Sequence, residues 1–162
     1  MILIIKKKVG IVPMVQIEKK IETSIIDFLK SNCCYVFKNQ ASATTGKGKS
    51  DLTACISGKY VSLEVKRPDF KKETTYAQYI HLKRTAFSGG LAFYISTEKV
   101  LPLLLSSINS KTIPLIDDHT FVKIELSQST NSRKENLNVI NKAINTYNFV
   151  QVTNNELYCF NF

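Results

Sequence analysis

The stretch Gly48-Lys49-Ser50-Asp51-Leu52-Thr53-Ala54-Cys55-Ile56-Ser57-Gly58-Lys59-Tyr60-Val61-Ser62-Leu63-Glu64-Val65-Lys66 decides how this chain is read. Two β-prone runs, 51–56 and 59–65, flank Ser57-Gly58, a dipeptide suited to a two-residue hairpin turn. If those two residues form the loop, Ile56 faces Lys59, Cys55 faces Tyr60, Thr53 faces Ser62 and Asp51 falls opposite Glu64. Directly opposed residues have Cβ atoms about 5 Å apart. Alternation along the second strand puts Ser62, Glu64 and Lys66 on one face and Val61, Leu63 and Val65 on the other, where they can enter a core. Two carboxylates and an ammonium therefore share one polar face.

Carboxylates this close repel unless a cation neutralises them, and hard oxygen donors favour Mg²⁺ or Mn²⁺ over zinc. Such a site suits phosphodiester hydrolysis, in which a divalent ion polarises the phosphoryl oxygen and lowers the pKa of a bound water. Lys66 alternates with Glu64, so its ammonium can orient that water or stabilise charge developing on phosphorus. A blander reading is also open: Glu-Val-Lys is common on solvated strand faces, and Asp beside Ser is an ordinary turn pair.

The wider pattern resembles the PD-(D/E)XK nuclease superfamily, and within it the VRR-NUC and Holliday-junction-resolvase-like modules. The resemblance rests on Gly48-Lys49-Ser50-Asp51-Leu52, Gly58, Leu63-Glu64-Val65-Lys66-Arg67-Pro68, Thr75-Tyr76-Ala77-Gln78, and Ser88-Gly89-Gly90 before an apolar strand. It covers residues 16–97. The leading Pro of the family's Pro-Asp pair is absent, with Ser50 in its place. The resemblance implies a restriction-endonuclease-like αβββαβ core: an α/β fold with a mixed central sheet flanked by helices, here with a C-terminal α/β extension. It also implies that Asp51, Glu64 and the Val65 carbonyl bind metal and that Lys66 is the catalytic lysine. Gln78 and Glu18 would complete the pocket, with Glu22 as the fallback for Glu18. Two of these positions have purely structural readings. Thr75-x-x-Gln78 is a capping box, and a glutamate early in a helix is favoured by the helix dipole.

The segment from Ala43 to Ser50 also satisfies a permissive phosphate-loop pattern. A phosphate loop must run into a helix, whereas the residues after Asp51 alternate as a strand, so no nucleotide cofactor is expected. Lys47 and Lys49, with Arg67, Lys71 and Lys72, read instead as contacts for nucleic-acid phosphates.

At 162 residues, 44% hydrophobic and 22% charged, the chain has the size of one domain with one core. Lys and Arg number 22 against 13 Asp and Glu, a formal charge of +9 that favours a polyanionic partner, here DNA. Arginine occurs only at 67, 84 and 133; a Lys-heavy balance leans toward recognition of the DNA backbone or shape rather than base edges. Cys33, Cys34, Cys55 and Cys159 show no metal-ligand spacing and read as reduced thiols. His81 and His119 are too few for a zinc site. The run Met1 to Ile5 is too short for a signal peptide and no stretch has membrane-spanning length, so a cytoplasmic setting is expected.

Along the chain we expect a helix over 16–30, a strand near 35–37, the hairpin, a polar turn over 69–73, a helix over 75–87 and a buried strand over 91–96 parallel to the Glu-Val-Lys strand. Beyond it, 98–107 reads as a helix, 119–126 as a strand, 127–136 as polar, 137–147 as a helix, and 149–152 with 157–162 as a hairpin. This last third is expected to pack on the core or mediate self-association. The resulting expectation is a Mg²⁺-dependent DNA endonuclease for branched or junction DNA. A homodimer is expected because cutting two strands commonly uses two sites. A sequence-specific homing or restriction-type enzyme is the alternative within the same chemistry. A noncatalytic nucleic-acid-binding protein is the alternative outside it.

Overall fold

The computed structural model describes residues 14–40, 48–68, 73–109, 122–129 and 131–161. Helix α1 (Met14–Ser31) leads to β1 (Tyr35–Lys38), β2 (Leu52–Ile56), β3 (Lys59–Val65), α2 (Tyr76–Phe87) and β4 (Leu91–Ile95). A 3-10 turn (Glu98–Val100), α3 (Leu101–Asn109), β5 (Val122–Glu125), α4 (Arg133–Thr146), β6 (Phe149–Val152) and β7 (Glu156–Phe160) follow. The protein is α/β, with one mixed sheet in the order β1-β2-β3-β4-β6-β7-β5 flanked by helices.

The turn between β2 and β3 sets the register. Ser57 (φ 51°) and Gly58 (φ 76°) both adopt positive φ, which a two-residue type I′ turn requires. Pairing then runs from Ile56↔Lys59 through Cys55↔Tyr60 and Thr53↔Ser62 to Leu52↔Leu63. One further step along this register sets Asp51 opposite Glu64. Strand β4 pairs with β3 in parallel, from Val61↔Leu91 to Val65↔Ile95, as a strand returning through a helical crossover does.

Alternation sorts the side chains onto two faces. Val61, Leu63 and Val65 join Leu52, Ala54 and Ile56 against Ile21, Ile25 and Leu29 of α1 and Leu101, Leu104 and Ile108 of α3. On the other face Tyr79 and Leu82 of α2 and Ile140, Ala143 and Ile144 of α4 pack on Ala92, Tyr94, Val150 and Val152. Each Val, Leu or Ile among them, removed from water, stabilises the fold by roughly 1.5–3 kcal/mol. Because α2 lies on the second face, Ser62, Glu64 and Lys66 are buried beneath it rather than solvated.

The C-terminal third extends the same sheet through β6, which pairs with β4 antiparallel. Its boundaries differ from expectation where polar residues are buried. Helix α4 starts at Arg133 instead of 137 because Asn136, read as part of a polar loop, is a buried helical residue. Its amide accepts from Ser127 N at 3.0 Å and donates to Ser127 O at 2.9 Å, tying down the preceding segment. The segment expected as one helix over 98–107 divides into the 3-10 turn and α3. Residues 69–72 of the expected polar turn and 119–121 of the expected strand lie outside the described residues. Among the described residues, no helix is long and apolar enough to cross a membrane.

Candidate active site

Glu64 reaches the α2 face near the end of β3, with 1% of its surface exposed. Lys66, two residues on and therefore on the same face, places Nζ 3.0 Å from Glu64 Oε1. Gln78, in the first turn of α2, donates from Nε2 to that same oxygen. The amide of Gln78 also serves the helix end: its Oε1 accepts from Thr75 N at 3.0 Å, and Thr75 Oγ1 accepts from Gln78 N at 3.2 Å. The capping box and the contact with Glu64 thus coexist, one on each end of the amide. Beneath them, Lys66 Nζ stands 5.7 Å from the centroid of the Tyr94 ring. The Tyr94 hydroxyl is 2.9 Å from Thr74 Oγ1, and burial pushes this phenol far above its ordinary pKa. Thr74 N donates to Asn141 Oδ1 at 2.8 Å, so α4 helps to fix the start of α2.

Asp51 sits just before β2 and turns Oδ2 toward the backbone of β3, where it accepts from Val65 N at 2.8 Å. Its own backbone is held from β1: Asn39 N donates to Asp51 O at 2.8 Å, and Asn39 Nδ2 donates to Ser50 O and Thr53 Oγ1, each at 2.8 Å. Gly48 brings this loop against α2. Its φ is +91°, and a Cβ there would lie 2.5 Å from Ala77 Cβ and 2.6 Å from the Ala77 carbonyl carbon, so only glycine fits without displacing the helix.

Two further carboxylates reach Asp51 from α1. Glu18 and Glu22 are four residues apart, on one helical face. One carboxylate oxygen from each, together with one from Asp51, lies within 4.8 Å of the others. Glu22 is buried and also pairs with Lys38 of β1. The Asp51 carboxyl is pushed above the ordinary carboxylate range, chiefly by burial and further by the charges of Glu22 and Glu18, against the opposing pull of the Val65 amide and Lys66.

The acids therefore divide into two neighbouring sets. Glu18, Glu22 and Asp51 form one; Glu64, Lys66 and Gln78 form the other. Lys66 links them, bonding to Glu64 while attracting Asp51. Both helix glutamates come to Asp51, the fallback Glu22 together with Glu18. The i, i+4 spacing was the sequence signal that both belong to one face. Asn39 and Thr74 carried no comparable signal, and Tyr94 was legible only as part of the buried strand over 91–96.

Of the basic residues read as phosphate contacts, Lys49 is exposed and Arg67 half-buried, while Lys47, Lys71 and Lys72 lie outside the described residues. Ser50 runs into β2 rather than into a helix, as the strand reading of the phosphate-loop-like segment requires. His81 packs behind the site: its Nε2 approaches Ser62 Oγ to 3.5 Å, and its pKa is lowered by burial first, then by Lys49 and Arg84. Neither the family models nor the curated proteins yield a match to this sequence.

Proposed function

We propose that this protein is a Mg²⁺-dependent endodeoxyribonuclease of the PD-(D/E)XK type, with the restriction-endonuclease-like αβββαβ core, acting on branched or junction DNA as a homodimer. The observation that carries the reading is the buried Lys66–Glu64 pair, held by Gln78 and lying beside the converging carboxylates of Asp51, Glu18 and Glu22.

The donor set fits a hard divalent ion. Oxygens around an octahedral Mg²⁺ stand roughly 3 Å apart when adjacent and 4.2 Å when opposite, given metal–oxygen distances near 2.1 Å, so oxygens within 4.8 Å of one another would draw together around the ion by side-chain rotation. Asp51 would hold the ion, with Glu18 and Glu22 beside it; Glu64 and the Val65 carbonyl, at the same end of β3, complete the set. Mn²⁺ has the same preference for oxygen donors and would substitute. When bound, the ion supplies Lewis acidity toward the scissile phosphate and a more acidic water.

The protein's own groups then have distinct tasks. Lys66 holds a positive charge at a fixed place, where it can orient an attacking water and oppose charge gathering on phosphorus. Glu64 and Gln78 keep that ammonium from swinging away, and its burial keeps the charge effective at short range. The formal charge of +9 draws in a polyanion, and the scarcity of arginine favours a substrate recognised by shape over one read base by base.

Two measurements test the reading. A calorimetric Mn²⁺ titration should give binding heat that disappears in Asp51→Asn; a noncatalytic nucleic-acid binder gives none in either protein. Incubation with Mg²⁺ and a matched panel of junction, flap, single-stranded and duplex DNA should show fastest cutting of the branched substrates. Cutting confined to one duplex sequence would favour the site-specific alternative.

A further inference from the structure

The sheet face that carries Glu64 and Lys66 does not end with them. Tyr60 and Ser62 precede them on that face of β3, and the register adds Cys55 and Thr53 of β2, then Tyr35 and Phe37 of β1. Helix α2 covers β3 and β4, and Thr53 is buried with them, but Tyr35 and Phe37 of β1 and Cys55 of β2 stay exposed on this side. Tyr35 is 69% exposed, Phe37 44% and Tyr60 50%, and Cys55 is exposed between Tyr35 and Tyr60. The rings of Tyr35 and Phe37 have centroids 5.7 Å apart. Tyr60 borders a cleft of about 280 Å³ whose other wall includes His81 and Arg84, and Lys49 lies close enough to His81 to act on its pKa.

We propose that this open face binds unpaired nucleobases, so that the substrate of the site reached through Glu64 and Lys66 carries a single-stranded segment that stacks on Tyr35, Phe37 and Tyr60. The inference rests on the nuclease reading given above and narrows its substrate. Phe37 lies two residues before Asn39, whose backbone N–H donates to the Asp51 carbonyl, so a strand laid on the rings and along β1 runs toward the Asp51 end of the site. Flat aromatic side chains on a sheet beside cationic groups are what a single strand needs, because every base offers a π face and every linkage a phosphate. Here Arg84 and Lys49 supply the cations.

A second copy of the chain fits the same surface less well. Taking a fully buried aromatic as 150–250 Å², the exposed parts of the three rings amount to roughly 250–400 Å², against about 800 Å² per partner in a stable interface. The formal charge of +9 also attracts a polyanion to this face.

The test measures fluorescence anisotropy of labelled oligothymidylate and of a blunt duplex of equal length, in EDTA so that nothing is cut. Stacking on one ring is worth roughly 5- to 150-fold in affinity. Tyr35→Ala, Phe37→Ala and Tyr60→Ala should each weaken oligothymidylate binding by at least about fivefold, while Tyr35→Phe and Tyr60→Phe, which keep the ring, stay within about twofold. Duplex affinity should not move. Unchanged oligothymidylate binding in the alanine variants overturns the proposal, as does equal weakening for both probes. So does a wild-type dimer that sedimentation shows the alanine variants to dissociate while their oligothymidylate affinity is retained. Because the readout needs no metal, stacking without any Mg²⁺-dependent cutting refutes the nuclease reading alone, and cutting without stacking refutes this surface alone.

Discussion

Lys66 and Glu64 form an ion pair at 3.0 Å across the end of β3, and their side chains are only 5% and 1% exposed. A pair this buried is costly to break, because the survivor stays desolvated without its counter-charge. Lys66→Ala should lower the unfolding free energy by about 3–5 kcal/mol, toward the low end because Gln78 still donates to Glu64. The double replacement Glu64→Gln with Lys66→Met should recover much of that loss while remaining without nuclease activity. Urea denaturation of the three proteins checks both statements.

Gln78 serves the helix cap and the site through opposite ends of one amide, and substitutions can separate the two. Gln78→Ala removes both bonds and should cost about 1–2 kcal/mol. Gln78→Glu keeps an acceptor for Thr75 N but sets a carboxylate against Glu64. Two carboxyls sharing a buried site hold a proton more tightly than either does in the unfolded chain, so the folded state gains protons and stability as the pH falls. Thermal melts should therefore show Gln78→Glu destabilised at neutral pH and closer to the unaltered protein in mild acid.

Asp51 would connect the proposed metal binding to stability. Its carboxyl is raised above 3.8, so its contribution to stability is fully present below that value and is lost as pH rises through the raised value; at neutral pH the ionised group opposes folding. Asp51→Asn should raise the melting temperature in EDTA, since the amide oxygen can still accept from Val65 N while the buried charge is gone. Mn²⁺ should raise the melting temperature of the unaltered protein at neutral pH, less in mild acid, and not that of Asp51→Asn. Differential scanning calorimetry in the two buffers provides the comparison.

Much of this arrangement was legible from the chain. The Ser57-Gly58 turn carried the hairpin register, because a two-residue loop with both residues at positive φ leaves one pairing. Strand alternation put Glu64 and Lys66 together, and the apolar run after Gly90 marked β4 beside them. Side-chain direction was not legible. The register places Asp51 opposite Glu64, yet its carboxylate turns to the Val65 amide and to two glutamates of a helix on the other face, contacts that depend on tertiary packing. Asn39, half-buried, and Asn136, buried, were opaque for a related reason: a polar residue withdrawn from water because it satisfies a nearby backbone looks like any other polar residue in sequence.

The four thiols should differ sharply in reactivity. Cys33 and Cys55 are exposed, Cys34 is half-buried with its thiol raised by burial, and Cys159 is fully buried with its thiol pushed up to about 12. An aromatic disulfide reagent in mildly alkaline buffer should consume two thiols quickly, the third slowly, and Cys159 only when urea unfolds the chain.

The central claim is metal-dependent phosphodiester cleavage by the Asp51, Glu64 and Lys66 constellation. The most direct measurement is the cleavage rate of a four-way DNA junction by the unaltered protein in Mg²⁺, in EDTA, and in Mg²⁺ with folded Glu64→Gln. Cutting in the first alone, with the substituted protein slower by at least about a hundredfold, is the predicted result. Equal cutting by Glu64→Gln, or cutting that persists in EDTA, would contradict it.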